Sequence, residues 1–142
     1  MSKQRFKDLN CNDETVEQFD NLWVISIYGS AEESPFFKSE HYNVLCLQVD
    51  DILDPDVENN NLILFNEEHA EKVCEFINNL KSREEFTLVI HCHAGICRSG
   101  AIAEFARNTL RLSLEDFNRE NQHILPNCHI SKVLREYYNQ VA

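Results

Sequence analysis

Glycine and proline are scarce in this chain of 142 residues, three of each, and no apolar run is long enough to span a bilayer. So few breakers leave no Gly- or Pro-rich linker, and no repeat or low-complexity tract divides the chain. A single domain is therefore expected over 1–142, long enough for a real core, with 1–12 loosely ordered. The opening Met-Ser-Lys-Gln-Arg-Phe-Lys has no apolar signal region, which predicts a cytoplasmic protein. Cations are also few, 13 Lys and Arg against 24 Asp and Glu, for a formal net charge of −11. A chain so acidic has no basic face for nucleic acid or an anionic membrane, and both are excluded as partners. Cysteine is not rare, with six at Cys11, Cys46, Cys74, Cys92, Cys97 and Cys128, but Cys-x2-Cys pairs are absent. Without a secretion signal these read as reduced, mostly buried thiols rather than a disulfide framework, and neither a metal nor a cofactor is implied.

What the chain does contain is concentrated in residues 86–100, Phe-Thr-Leu-Val-Ile-His-Cys-His-Ala-Gly-Ile-Cys-Arg-Ser-Gly. An apolar, β-prone run (Phe86, Leu88, Val89, Ile90) stops at His91-Cys92, and a helical pattern begins at Arg98-Ser99 and lasts through Arg111. Strand, short loop and helix in that order aim the loop's backbone N–H groups and the open first turn of the helix at one spot, which attracts an anion. A thiol opens this loop and a guanidinium closes it. A Cys six residues before an Arg is weak evidence alone, since six Cys and seven Arg give about 0.3 chance matches. Adding the preceding His, the Gly three residues on and the Ser after the Arg reduces chance to the order of 10⁻⁵.

The string His91-Cys92-x5-Arg98-Ser99 resembles the signature of the cysteine-dependent protein phosphatases, tyrosine-specific and dual-specificity. Residues 42–140 also follow the layout of the dual-specificity group: an apolar strand ending in Asp, a helix, the signature strand and its helix, then Ile124-Leu125-Pro126-Asn127 before a last helix. The stretch Phe65-Asn-Glu-Glu-His-Ala70 and the turn Asp50-Asp51-Ile52 look like those of compact bacterial and phage protein tyrosine phosphatases. The Trp-Pro-Asp loop of the larger tyrosine phosphatases is missing, Cys97 stands where Ser or Lys is usual, and Gly100 where Ala is common.

The remaining pattern predicts an α/β fold, a central, mostly parallel β-sheet flanked by α-helices, with the phosphate-binding loop between a strand and a helix. Asn12 to Asp20 reads as a short capped helix and Leu22 to Tyr28 as a strand. Val44 to Val49 is nearly continuously apolar, which suggests a central strand covered on both faces, with Cys46 in the core. A long loop follows, with Asp54-Pro55-Asp56 and three Asn. Asn66 then caps a helix with acidic Glu67 and Glu68 in its first turn, a Phe65–Ala70 staple, and Ala70, Val73, Cys74, Ile77 and Leu80 on its apolar face. A strand, a crossover helix and the strand 86–91 form a unit of parallel neighbours, so Asp51 and Cys92 are expected at one carboxyl-terminal sheet edge. Ser113 opens a short helix, and Cys128 to Tyr138 forms the last, burying Ile130, Val133, Leu134 and Tyr137.

The resemblance implies a phosphatase for phosphorylated proteins or peptides, phosphotyrosine first and phosphoserine and phosphothreonine after it, working through a phosphocysteine intermediate. In it Cys92 is the nucleophile, its pKa lowered by the amides, the helix N-terminus and Arg98. Arg98 forks onto two phosphate oxygens. The loop residues His93, Ala94, Gly95, Ile96, Cys97 and Arg98 bind the phosphate through their amides, with Gly95 allowing the turn. Ser99 donates to the sulfur and eases its departure. Alignment at the strand end places Asp51 as proton donor, with Asp50, Asp54 and Asp56 as alternatives. The variable loop positions His-Ala-Gly-Ile-Cys lack the Lys expected for phosphoinositides or RNA ends. A phospho-residue binding module without turnover, and a phosphatase for a non-protein phosphate ester, are the rival readings. Phe36, Phe37, Tyr42 and Phe65 are the candidates to wall a phosphotyrosine pocket.

Overall fold

A computed structural model describes residues 12–30, 37–54, 62–93 and 95–141. Their elements, in chain order, are α1 (Asp13–Gln18), β1 (Leu22–Tyr28), β2 (Val44–Gln48), α2 (Glu67–Leu80), β3 (Thr87–His91), α3 (Arg98–Leu110), α4 (Leu114–Glu120) and α5 (Cys128–Val141). Local chemistry accounts for their starts. The Asn12 side chain accepts from the Thr15 amide at 3.1 Å, and Asn66 accepts from Glu68 and His69 at 2.9 and 3.2 Å. His69 Nδ1 in turn accepts the Asn66 N–H at 3.0 Å, closing a capping box with an imidazole in place of the usual carboxylate. Ser113 Oγ accepts from the Asp116 amide at 3.2 Å and opens α4.

The three strands form one parallel sheet in the order β2-β1-β3. The expectation of β2 as a central strand is corrected: β1 occupies the middle, and β2 and β3 are neighbours of β1, not of each other. The reason lies in their side chains. β1 buries five consecutive residues, Trp23 to Ile27, whereas β2 leaves Cys46 and Gln48 exposed. Cys46 is thus an exposed free thiol, as is Cys128; Cys74 and Cys92 are buried and Cys97 is half-buried, so the expectation of mostly buried thiols is corrected as well. Cys11 lies outside the described residues. Because all three strands run the same way, the ends of β2 and β3 still reach the same sheet edge.

Strand alternation divides the core. Trp23, Ile25, Ile27, Leu47 and Ile90 face the larger cluster, which α2, α3 and α5 fill with Val73, Ile77, Leu80, Ile102, Ile130 and Leu134. Val24 points the other way, to Val16 of α1 and Phe37. In α5 the anticipated stripe holds, with Ile130 and Leu134 fully buried and Val133 and Tyr137 packed at the margin. No helix among the described residues is long and apolar enough to cross a membrane.

Leu134, 0% exposed, joins α5 to this cluster, whereas Leu125 is 71% exposed. Leu134→Ala should cost about 2–5 kcal/mol in urea unfolding, and Leu125→Ala no more than about 0.5 kcal/mol.

Candidate functional site

At the carboxyl-terminal edge of the sheet β3 ends, the chain turns through the loop 92–97, and α3 begins. Gly95 has φ 75°, a left-handed conformation that glycine takes without strain, so the turn expected of it is present. Cys97 occupies the N-cap of α3 and makes no side-chain cap bond. The other helices differ: Asn12, Asn66 and Ser113 close α1, α2 and α4, and Asn127 Oδ1 accepts from the Ile130 amide at 3.0 Å at the start of α5. The first turn of α3 therefore keeps its donors for something other than its own cap.

Cys92 is that partner. It is 2% exposed, with Sγ 3.2 Å from Ser99 Oγ and accepting from the Gly95 amide at 3.2 Å. Burial pushes the thiol pKa up, but the Ser99 hydroxyl, the Ser99 and Gly95 amides and the Arg98 charge outweigh it and hold the sulfur below the ordinary cysteine range. Cys97, five residues on, is pushed the opposite way by burial and by the Asp51 and Cys92 charges. The two thiols of one loop are thus shifted in opposite directions.

Two contacts hold the loop open. The Leu125 amide donates to the Ile96 carbonyl at 3.1 Å, and the Asn127 amide to the Cys97 carbonyl at 2.9 Å. In a trans peptide the N–H lies opposite the C=O, so the amides of Cys97 and Arg98 are turned away from segment 125–127. Gly100 lets that segment approach: a Cβ there would lie 3.1 Å from Ile124 Cβ, which accounts for glycine where alanine is common. Arg98, 7% exposed, donates from Nη1 to the Val49 carbonyl at 2.9 Å, which fixes the guanidinium at the end of β2.

The neighbouring carboxylates separate by environment. Asp50 accepts from the Ser30 amide and hydroxyl at 3.0 and 2.8 Å and from the Ile63 amide at 2.6 Å. Burial raises its pKa, but these donors and the Arg98 charge win and hold it below the usual carboxylate range. A carboxylate so occupied anchors loops and has no proton to give near neutrality. Asp51 is exposed and accepts from Asn127 Nδ2 at 2.6 Å. Asp54 is exposed, and Asp56 and Ala94 lie outside the described residues. His93 is exposed and Ile96 half-buried, while His91 is buried with Nε2 2.7 Å from Ser26 Oγ, so it faces the sheet and shapes the strand end.

Asn127 is the residue whose role the sequence reading missed. It is 1% exposed, and its side-chain amide reaches Asp51 and the Ile52 carbonyl while its oxygen caps α5. An Asn directly before an apolar-periodic segment signals a cap; the link to Asp51, 76 residues away, has no local signal. Of the four aromatic pocket candidates, three are corrected. Phe37 packs under the sheet, Phe65 is 1% exposed and stacks on His69, and Tyr42 precedes β2 at the opposite sheet edge, edge-on to Trp23. Phe36 lies outside the described residues. Among the described residues, the exposed apolar side chains near the loop are Leu53 and Leu125, flanking the backbone that Asn127 and Ile96 tie down.

Iodoacetamide alkylation of Cys92 should rise with pH through a midpoint below that of free cysteine, about 8.5, and Ser99→Ala should move the midpoint upward. Asp50→Asn should lower stability at neutral pH. The folded Asp50 pKa is depressed, so its contribution is complete above the unfolded value of about 3.9 and is lost as pH falls through the folded one. The deficit of the variant should therefore narrow in urea titrations below about pH 4.

A scan against protein-family models finds no match, and a comparison with curated proteins finds none. Solved structures do match. The human tyrosine phosphatase-like serine/threonine/tyrosine-interacting protein superposes with a TM-score of 0.53 at 22% identity, over 91% of this chain and 83% of that one. Human DUSP28 gives 0.53 at 16% identity over 91% and 85%, and a variant of DUSP28 gives 0.50 at 16% over 90% and 82%. With its parallel sheet, flanking helices and loop between β3 and α3, the chain has the fold of the dual-specificity phosphatases.

Proposed function

We propose that the protein is a phosphatase that hydrolyses phosphotyrosine in proteins through a phosphocysteine intermediate. The observation that carries this reading is the Cys92 sulfur, buried yet held toward the thiolate by Gly95, Ser99 and Arg98 at an uncapped helix N-terminus. A thiolate so placed attacks phosphorus in line as the ester oxygen departs, and the amides of the loop with the Arg98 fork take up the equatorial charge. Asp51 supplies the proton to the leaving oxygen and then takes one from the water that cleaves the phosphocysteine. Its exposure and its tether to Asn127 suit a group that meets solvent and substrate, whereas Asp50 is committed to Ser30 and Ile63. Ser99 stabilises the sulfur when it leaves in the second step. Leu53 and Leu125, 61% and 71% exposed, offer apolar contact to an aryl ring at the mouth of the loop.

The second reading is a phospho-residue binding module without turnover, which the name of one fold neighbour, a phosphatase-like interacting protein, brings forward. Hydrolysis of p-nitrophenyl phosphate and of phosphotyrosine and phosphothreonine peptides separates the two. Cys92→Ser should abolish turnover and retain phosphate binding, and wild-type binding without turnover would decide for the module. Asp51→Asn should lower kcat by about 10²–10⁴ and remove the fall in rate at high pH, where a proton donor loses its proton. Asp54→Asn should leave that limb in place. Leu53→Ser and Leu125→Ser should raise KM for phosphotyrosine peptides with little change in kcat, the pattern of lost ground-state contact.

A further inference from the structure

The far end of α3 carries a second concentration of cations in this acidic protein, independent of the thiol loop. A cleft of about 640 Å³ opens between the C-terminal half of α3 and α5, and its lining includes Lys81, Arg111 and Arg135 against one carboxylate, Glu104. That volume is of the order that small ligands occupy. In a chain with 24 Asp and Glu, partners for a guanidinium are plentiful, and Arg119 and Lys132 do pair with Asp116 and Glu136. Arg111 and Arg135 make no ion pair among the described residues, although both are exposed on this cleft.

A further observation concerns the backbone at the rim of the cleft. Arg111 is the one described non-glycine residue at positive φ, 56°, in the position after a helix where glycine is usual. An arginine there bears backbone strain that glycine would not. The last carbonyls of α3 repel an anion, so attraction rests on the side chains. Phe105 and Tyr138, edge to face at 5.8 Å, add an aromatic wall, and Lys81 lies over the Tyr138 ring.

We propose that this cleft binds a small organic polyanion, its phosphate or carboxylate groups held by Arg111 and Arg135 and its flat body against Phe105 and Tyr138. Arg111, 13 residues along α3 from Arg98, stands about 20 Å from the thiol loop, so an anion held there leaves the loop free.

The test is calorimetric titration of the whole chain, its thiol loop blocked with iodoacetamide, using metal-free adenosine triphosphate as the phosphate probe and trimesate as the carboxylate probe. Saturable binding of one equivalent of either probe is expected, and the probe that binds identifies the anionic group. Arg111→Gly and Arg135→Gln should each weaken it about tenfold or more, the loss expected for a charge-assisted hydrogen bond. Arg111→Gly relieves the backbone, so the variant should melt no lower than the wild type, and lost binding then reports the guanidinium and not unfolding. Absence of saturable binding by both probes, or binding that neither substitution weakens, overturns the proposal.

Discussion

A sulfur held toward the charged state inside a protein needs dipoles around it, and the arrangement at Cys92 depends on one helix end left without a cap. The other helix starts at α1, α2, α4 and α5 each spend a side chain on their own amides. At α3 the amides remain available, and the sulfur and any bound anion take the place of the cap. This requires a loop kept open without being filled. Segment 125–127 does so by drawing the Ile96 and Cys97 carbonyls to the outside, and Gly100 permits the approach.

The same economy of contacts separates two adjacent carboxylates. Asp50 and Asp51 are one peptide apart, yet three donor groups and the charge of Arg98 bind one as a loop anchor, while the other is exposed beside the loop. Asn127 connects the pieces: one buried side chain caps α5, reaches Asp51 and grips the Ile52 carbonyl, and its backbone amide holds the loop. The thiol loop, Asp51, the turn at Ile52 and the start of α5 thus meet at a single asparagine. The fold shared with human phosphatase-like proteins at 16–22% identity fits this economy, since few of the contacts require a particular apolar side chain.

Much of this was legible in the residues because it is local. A helix cap acts across two or three positions, so Asn12, Asn66 and Ser113 announce their helices. The order of strand, loop and helix around Cys92 and the stripe Ile130–Leu134 follow from spacing alone, and the turn at Gly95 was expected from the family that the loop resembles. The amino-acid sequence by itself determined where the helices begin, which faces of α2 and α5 are apolar, and that a thiol and a guanidinium bracket a loop at a helix N-terminus. Only the tertiary structure decided that β1 lies between β2 and β3, that Phe65 is core and Tyr42 sits at the sheet edge away from the thiol loop, and that Asp50 is bound by three donors while Asp51, held by Asn127, stays exposed beside the loop. Those outcomes turn on which groups meet across dozens of residues, and such meetings are settled by packing and by donors seeking acceptors in space, which no short window of sequence contains.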